Sequence, residues 1–255
     1  MSGADRNEGA RMTEEDRKGH TAGEGQRARP DDEGAGARTP DQDPAASTGD
    51  ENEWLRITRQ DPGHSAWYIE RFRSMASRGD DLAGEARLVD AMVPRGARIL
   101  DAGCGPGRVG AFLAEAGHEV VGVDLDPELI AAADADHPGP LWLVDDLAHL
   151  DLPARGIHEG FDAIVCAGNV MTFLAPSTRG RVLARLRAHL REGGRLAVGF
   201  GTGRGYALEA FLADAGDAGL RTDLLLSTWS LHPHHDDADF VVALLSPVEA
   251  DHAPP

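Results

Sequence analysis

From Ala97 onward the chain alternates short apolar runs with helical stripes, and no other feature restricts its fold as much. "ARILDAG", "EVVGVDL", "LWLVDDL", "FDAIVCAG" and "GGRLAVGF" have strand length and composition. Between them, "RVGAFLAEAG", "PELIAAADA" and "STRGRVLARLRAHL" repeat apolar residues every three or four positions, as one face of a helix does. Gly117 ends the first of these helices and Pro127 opens the second, where a missing N–H is harmless. Upstream, "SAWYIERFRSMAS" and "DDLAGEARLVDAMV" are expected to be helical, the second with Leu82, Ala86, Val89 and Val93 on one stripe. Downstream, "YALEAFLADAGDAGL" predicts one more helix. "TDLLLSTWSL" and "DFVVALLSPV" follow with only a polar loop between them, as in a hairpin. Strands that alternate with helices form a parallel sheet covered on both faces. Here an antiparallel partner is expected to close it.

The first 53 residues are different in kind. No Leu, Ile, Val, Phe, Tyr or Trp precedes Trp54, so this acidic segment lacks the apolar surface needed to offset its ordering entropy. Residues 1–53 are therefore expected to be a disordered tail, and 54–250 a single domain. The whole chain carries a formal charge of -18. Such a balance opposes phosphate backbones and argues against a nucleic-acid partner. Lys18 is the sole lysine among 25 bases, a compositional bias rather than a site. Two cysteines, Cys104 and Cys166, make no disulfide framework, and no apolar run reaches membrane-spanning length. A cytoplasmic protein without membrane contact is expected.

The chemistry concentrates in "RILDAGCGPGRVG". Gly103, Gly105 and Gly107 form a strand-to-helix turn where backbone can approach a ligand, and the following helix offers unpaired N–H groups. One strand later, Asp124 in "VVGVDLD" is placed to accept two hydrogen bonds from a ribose diol, while Asp126, before Pro127, suits a helix cap. A nucleoside site follows, open to two ligands. Gly105-Pro-Gly107-Arg-Val-Gly110 satisfies the G-x-G-x-x-G pattern of nicotinamide dinucleotide sites. Asp101, however, sets a carboxylate at the end of the first strand, which repels a pyrophosphate and suits a cationic, phosphate-free group.

Through "ILDAGCGPGRVG", "VVGVDLDPELI", "WLVDDLAHLDL", "FDAIVCAGNVMTFL" and "LREGGRLAVGF", the chain resembles the class I S-adenosylmethionine-dependent methyltransferases, from about Trp67 to Val248. The resemblance implies an α/β, Rossmann-like seven-stranded mixed sheet with the last strand antiparallel and helices on both faces. It also implies methyl transfer from S-adenosyl-L-methionine to an acceptor, here expected to be a small molecule. Asp101 would meet the methionine amino group, and Gly103, Cys104, Gly105 and Gly107 would line the methionine portion. Asp124 would hold the ribose hydroxyls, with Leu125 against the adenine face. Asp146 would accept from the adenine amino group, with the Leu147 N–H reading the ring. Ala167, Gly168 and Asn169 would face the sulfonium, and Asn169 is the one candidate catalytic residue.

Methyl transfer from a sulfonium needs an aligned nucleophile more than an acid or base, so few catalytic residues are expected. The (Asp/Asn)-Pro-Pro-(Tyr/Phe) pattern of nucleic-acid base methyltransferases is absent, because Val170 follows Asn169. His232, His234 and His235 are expected to sit in an exposed polar loop, with no metal site assigned. Tyr68, Arg71 and Arg73 could reach the methionine carboxylate or the acceptor. Alternatively their helix docks Trp67 and Phe72 on the core with its arginines in water. Arg204 and Tyr206 in "GTGRGY" are candidates for the acceptor pocket. A nicotinamide-dependent oxidoreductase and a non-catalytic regulator that binds S-adenosylmethionine are the rival readings.

Overall fold

The computed structural model describes residues 49–248, so the expectation of disorder for residues 1–48 lies outside the described residues. Strands β1 (Arg98–Ala102), β2 (Glu119–Asp124), β3 (Leu141–Val144), β4 (Phe161–Cys166), β5 (Leu190–Gly201), β6 (Leu220–Leu226) and β7 (Phe240–Pro247) form one sheet. Its order is β3-β2-β1-β4-β5-β7-β6. The neighbours from β3 to β5 pair in parallel, and β7 runs antiparallel to both β5 and β6. Each run of the alternating sequence thus becomes the expected strand, and the terminal hairpin supplies the antiparallel member.

The helices are α1 (Glu53–Gln60), α2 (His64–Ser77), α3 (Gly84–Met92), α4 (Arg108–Glu115), α5 (Pro127–Asp136), α6 (Val170–Phe173), α7 (Arg179–His189) and α8 (Leu208–Asp217). On one face of the sheet, Val182, Leu183 and Leu186 of α7 and Phe211 of α8 pack on Leu100, Ile164, Val198 and Val241. On the other, Ala86 and Val89 of α3 and Val109 and Leu113 of α4 cover Ile99, Val165 and Ala197. Every described residue of β4 is buried, as a central parallel strand with both faces covered must be.

Two expectations need correction. Residues 49–53 belong to the structured part: the Asn52 side chain accepts the Leu55 N–H and caps α1, which begins at Glu53. The Asp50 carboxylate accepts hydrogen bonds from the Ser177 N–H and Oγ, at 2.9 and 2.5 Å. Polar side chains rather than apolar burial anchor this stretch, so a hydrophobicity reading passes over it. The α3 stripe is also shorter than expected, because Leu82 precedes the helix and Val93 is its extended C-cap.

Trp142 of β3 explains several glycines at once. A Cβ on Gly122 would stand 2.2 Å from its ring, one on Gly110 2.8 Å and one on Gly107 2.9 Å. These glycines let β2, β3 and α4 close around one indole, whose Nε1–H donates to the His137 carbonyl at 3.0 Å.

Candidate functional site

The strand order reverses beside β1: β2 and β3 lie on one side, β4 and β5 on the other. Ligand crevices in open α/β sheets form beyond the carboxyl ends of the strands at such a switch. There the structure has a cleft lined by Asn52, Trp54, Tyr68, Gly103, Asp124, Leu125, Leu129, Asp146, Leu147, Ala167, Gly168, Val170, Phe173 and Leu174.

The floor is built mostly from backbone. After β1, the N–H groups of Gly103 and Cys104 both donate to the Val123 carbonyl, at 2.8 and 3.0 Å. The Asp124 carboxylate then organises the turn: Oδ2 accepts the Gly105 N–H at 2.9 Å and Oδ1 accepts the Asp126 N–H at 3.0 Å. Burial pushes Asp124 up to about 6, against the opposing pull of these N–H donors. Asp101 lies deeper, its Oδ2 accepting the Gly110 N–H at 2.9 Å, and burial pushes it up to about 7. Two desolvated carboxyls beside one cleft suit a ligand that brings hydrogen-bond donors or positive charge.

The roof comes from the N-terminal segment. Asp126 caps α5 with Oδ1, accepting the Glu128 N–H at 2.8 Å. Its Oδ2 accepts Trp54 Nε1–H at 2.8 Å and Ser65 Oγ–H at 2.5 Å, so one buried carboxylate holds both α1 and α2 against the cleft. Trp54 meets Tyr68 and Phe173 edge-on, with ring centroids 5.2 and 6.0 Å apart. The cap role expected for Asp126 is present; its second role as a latch is not evident from the sequence.

Of the residues expected to bind a cofactor, Gly103, Asp124, Leu125, Asp146, Leu147, Ala167 and Gly168 line the cleft. Asp101, Cys104, Gly105, Gly107 and Asn169 stand behind that lining. Cys104 is buried with Ile130, Ala133 and Trp142, and burial raises its thiol well above the usual range. Gly107, in the left-handed region at φ 86, serves the turn and the Trp142 contact. Asn169, at φ 65, turns its Oδ1 to the Gly201 N–H at 2.8 Å and so ties the end of β4 to that of β5. Of the two neighbouring acids after β3, Asp145 pairs with Arg155 at 2.9 Å, and Asp146 lines the cleft with Oδ1 on the Ala148 N–H.

The other candidates divide. Tyr68 lines the cleft, and burial raises its phenol. Arg71 lies over the Trp67 ring and Arg73 pairs with Asp136 at 2.8 Å, which occupies both outside the cleft. Trp67 is 48% exposed, so it does not dock on the core. Tyr206 is buried with its hydroxyl on Asp214 at 2.5 Å and lines no part of the cleft. His232 Nδ1 pairs with Thr228 Oγ1 at 2.9 Å in the loop between β6 and β7. Among the described residues no three His, Cys, Asp or Glu side chains stand together as a metal site, and no helix is long and apolar enough to cross a membrane. The sequence reading missed Asn52, Trp54, Leu129, Val170, Phe173 and Leu174. Trp54, before which no Leu, Ile, Val, Phe, Tyr or Trp occurs, is the available signal.

A family profile described as a methyltransferase domain matches residues 99–194. A solved TehB-like SAM-dependent methyltransferase from Corynebacterium glutamicum is 45% identical; the match covers 73% of this chain and 100% of that one, with a TM-score of 0.70. An uncharacterized methyltransferase of Mycobacterium tuberculosis is 38% identical over 114 residues, 44% of this chain and 54% of its own length. A magnesium-protoporphyrin O-methyltransferase of Rhodobacter capsulatus is 33% identical over 141 residues, 52% of this chain and 57% of its own. The chain therefore spans about half the length of the curated relatives it matches.

Proposed function

Because the chain belongs to the S-adenosylmethionine-dependent methyltransferases, we propose that it transfers a methyl group from that donor to a small-molecule acceptor in the cleft beyond β1 and β4. The observation that carries this reading is Asp124: a buried carboxylate at the tip of β2, facing the cleft and oriented by two backbone N–H groups.

When bound, S-adenosylmethionine supplies a methyl group on positively charged sulfur, already activated for in-line displacement. The residues present fit such a donor. Asp124 accepts from the ribose hydroxyls, Leu125 and Leu147 give apolar faces to the adenine, and Asp146 accepts from its amino group. Gly103 exposes backbone where any side chain would meet Val170, since a Cβ there would stand 2.4 Å from Cγ2. Asp101 acts through the turn it supports and favours positive charge above it. Trp54, Tyr68 and Phe173 exclude water, so that the loss of charge at sulfur is not opposed by solvent. No histidine or thiol lines the described cleft. Alignment of the acceptor, rather than a strong base, then carries the acceleration, and Asn169 contributes by positioning the end of β5.

The magnesium-protoporphyrin O-methyltransferase relative supports an organic acceptor. The acidic chain supports an acceptor other than nucleic acid. The two cysteines, both free and buried, support a reducing, cytoplasmic setting. Titration calorimetry with S-adenosylhomocysteine, alongside NAD(H), tests the reading. Heat from the first and none from the second is expected. The reverse pattern establishes an oxidoreductase, and S-adenosylhomocysteine heat without label transfer to any extract component establishes a regulator.

A further inference from the structure

Near the carboxyl end of β5 stands a guanidinium that, among the described residues, no carboxylate pairs with directly. Arg179 opens α7, five residues after Leu174 of the cleft lining, and Asp50 binds Ser177 on the turn between them. Its guanidinium carbon lies 4.1 Å from the centroid of the Tyr206 ring. Tyr206 is fixed in turn by its hydrogen bond to Asp214 and by stacking on Phe200, at 5.6 Å between centroids. Arg179 Nε is buried with no hydrogen-bond partner, and among the described residues no carboxylate stands within 4.0 Å of the guanidinium. Burial pushes Arg179 below the usual guanidinium range, against the opposing pull of Tyr206 and Asp214.

Phe200 leads directly to Gly201, whose N–H is held by Asn169. Arg204 lies over that same glycine, its Cδ and Nε 3.2 and 3.3 Å from where a Cβ would stand. Arg179, on the ring that stacks with Phe200, and Arg204, beside Gly201, thus stand near the end of β5, just outside the cleft lining. A desolvated, unpaired donor is costly unless something accepts from it. A flat guanidinium pinned on an aromatic ring is preorganised for a carboxylate or a phosphate.

We propose that Arg179, supported by Arg204, binds an anionic group, carboxylate or phosphate, on the methyl acceptor. The inference rests on the methyltransferase reading of the same cleft. The anionic group serves recognition and is not the atom methylated, so the product keeps its charge.

The test uses the full-length protein, methyl-labelled S-adenosylmethionine and a small-metabolite extract divided by anion exchange. The labelled product is expected in the retained, anionic fraction. Arg179→Met is expected to lower labelling of that fraction about tenfold or more, the size of a lost charged hydrogen bond, with S-adenosylhomocysteine affinity unchanged within about twofold. Arg179→Lys keeps a cation and is expected to fall between. Phosphatase treatment separates the two sources: label entry that disappears identifies a phosphate ester, and label entry that persists identifies a carboxylate. Absence of label from the retained fraction, or equal labelling by wild type and Arg179→Met, overturns the inference. Absence of S-adenosylhomocysteine heat in the wild type strikes the underlying reading instead.

Discussion

The two halves of the cleft are built by different means. On the β1–β2 side, one carboxylate and a few backbone N–H groups define the wall, all drawn from two short segments around Gly103 and Asp124. On the opposite side and overhead, the wall depends on side chains from distant segments: Trp54 and Ser65 on Asp126, and Asn169 on Gly201. The first half is local and conformational, and is held in place by the sheet itself. The second depends on pairings that a few substitutions can undo, and it is where acceptor choice is free to differ among proteins of one fold.

Experiments on both halves sharpen the contrast. The largest effect is expected from Asp124→Ala, which removes the acceptor for two backbone N–H groups and for the proposed ribose hydroxyls. S-adenosylhomocysteine affinity should drop about a hundredfold by calorimetry, near 3 kcal/mol for charged hydrogen bonds; a drop under threefold removes Asp124 from the site. Next comes Gly122→Ala, whose Cβ would stand 2.2 Å from the Trp142 ring. Overpacking of this kind costs about 2 kcal/mol and should lower the melting temperature by several degrees. Pairing it with Trp142→Leu should restore most of the loss, and a Tm unmoved by Gly122→Ala would refute the packing account.

Asp126→Ala bears on the other half. It removes a helix cap and the bonds from Trp54 and Ser65, at about 1–2 kcal/mol. Hydrogen exchange should rise across residues 53–77 while β1 and β2 stay protected. A uniform rise would mean that the roof and the floor are one cooperative unit. The smallest effect is that of pH. Asp124 near 6 and Asp101 near 7 hold protons that the unfolded chain has already released, so these two groups cost the ligand-free fold stability as pH rises from about 4 to 7. A ligand that needs them ionised binds less well as pH falls below 6, by up to about tenfold per unit for one proton. S-adenosylhomocysteine should therefore raise the melting temperature more at pH 8 than at pH 5.5. Equal increments would detach both carboxyls from binding.

How much of the site was readable follows the same division. Asp124, Asp146 and the glycine turn could be found in the sequence because strand ends in an alternating α/β chain have one place to go. Gly107 is ambiguous in the sequence, because a glycine looks the same whether it clears space for a ligand or for an indole. Asp145, the neighbour of Asp146, is held by Arg155, a pairing that no local pattern announces. Tyr206, expected at the acceptor pocket, is instead a buried platform, and the half-buried guanidinium that lies on it belongs to Arg179, a residue that no motif singles out.

The sequence alone settled the succession of elements, the mixed sheet and the acid at the tip of β2, because hydrophobic period and turn chemistry act over a few neighbouring residues. Which side chains face the cleft was decided only in three dimensions. Asp126 lies 72 residues beyond Trp54, and Asn169 precedes Gly201 by 32. Hydrogen bonds between such residues exist only after burial has brought their strands and helices together, and no local pattern encodes them.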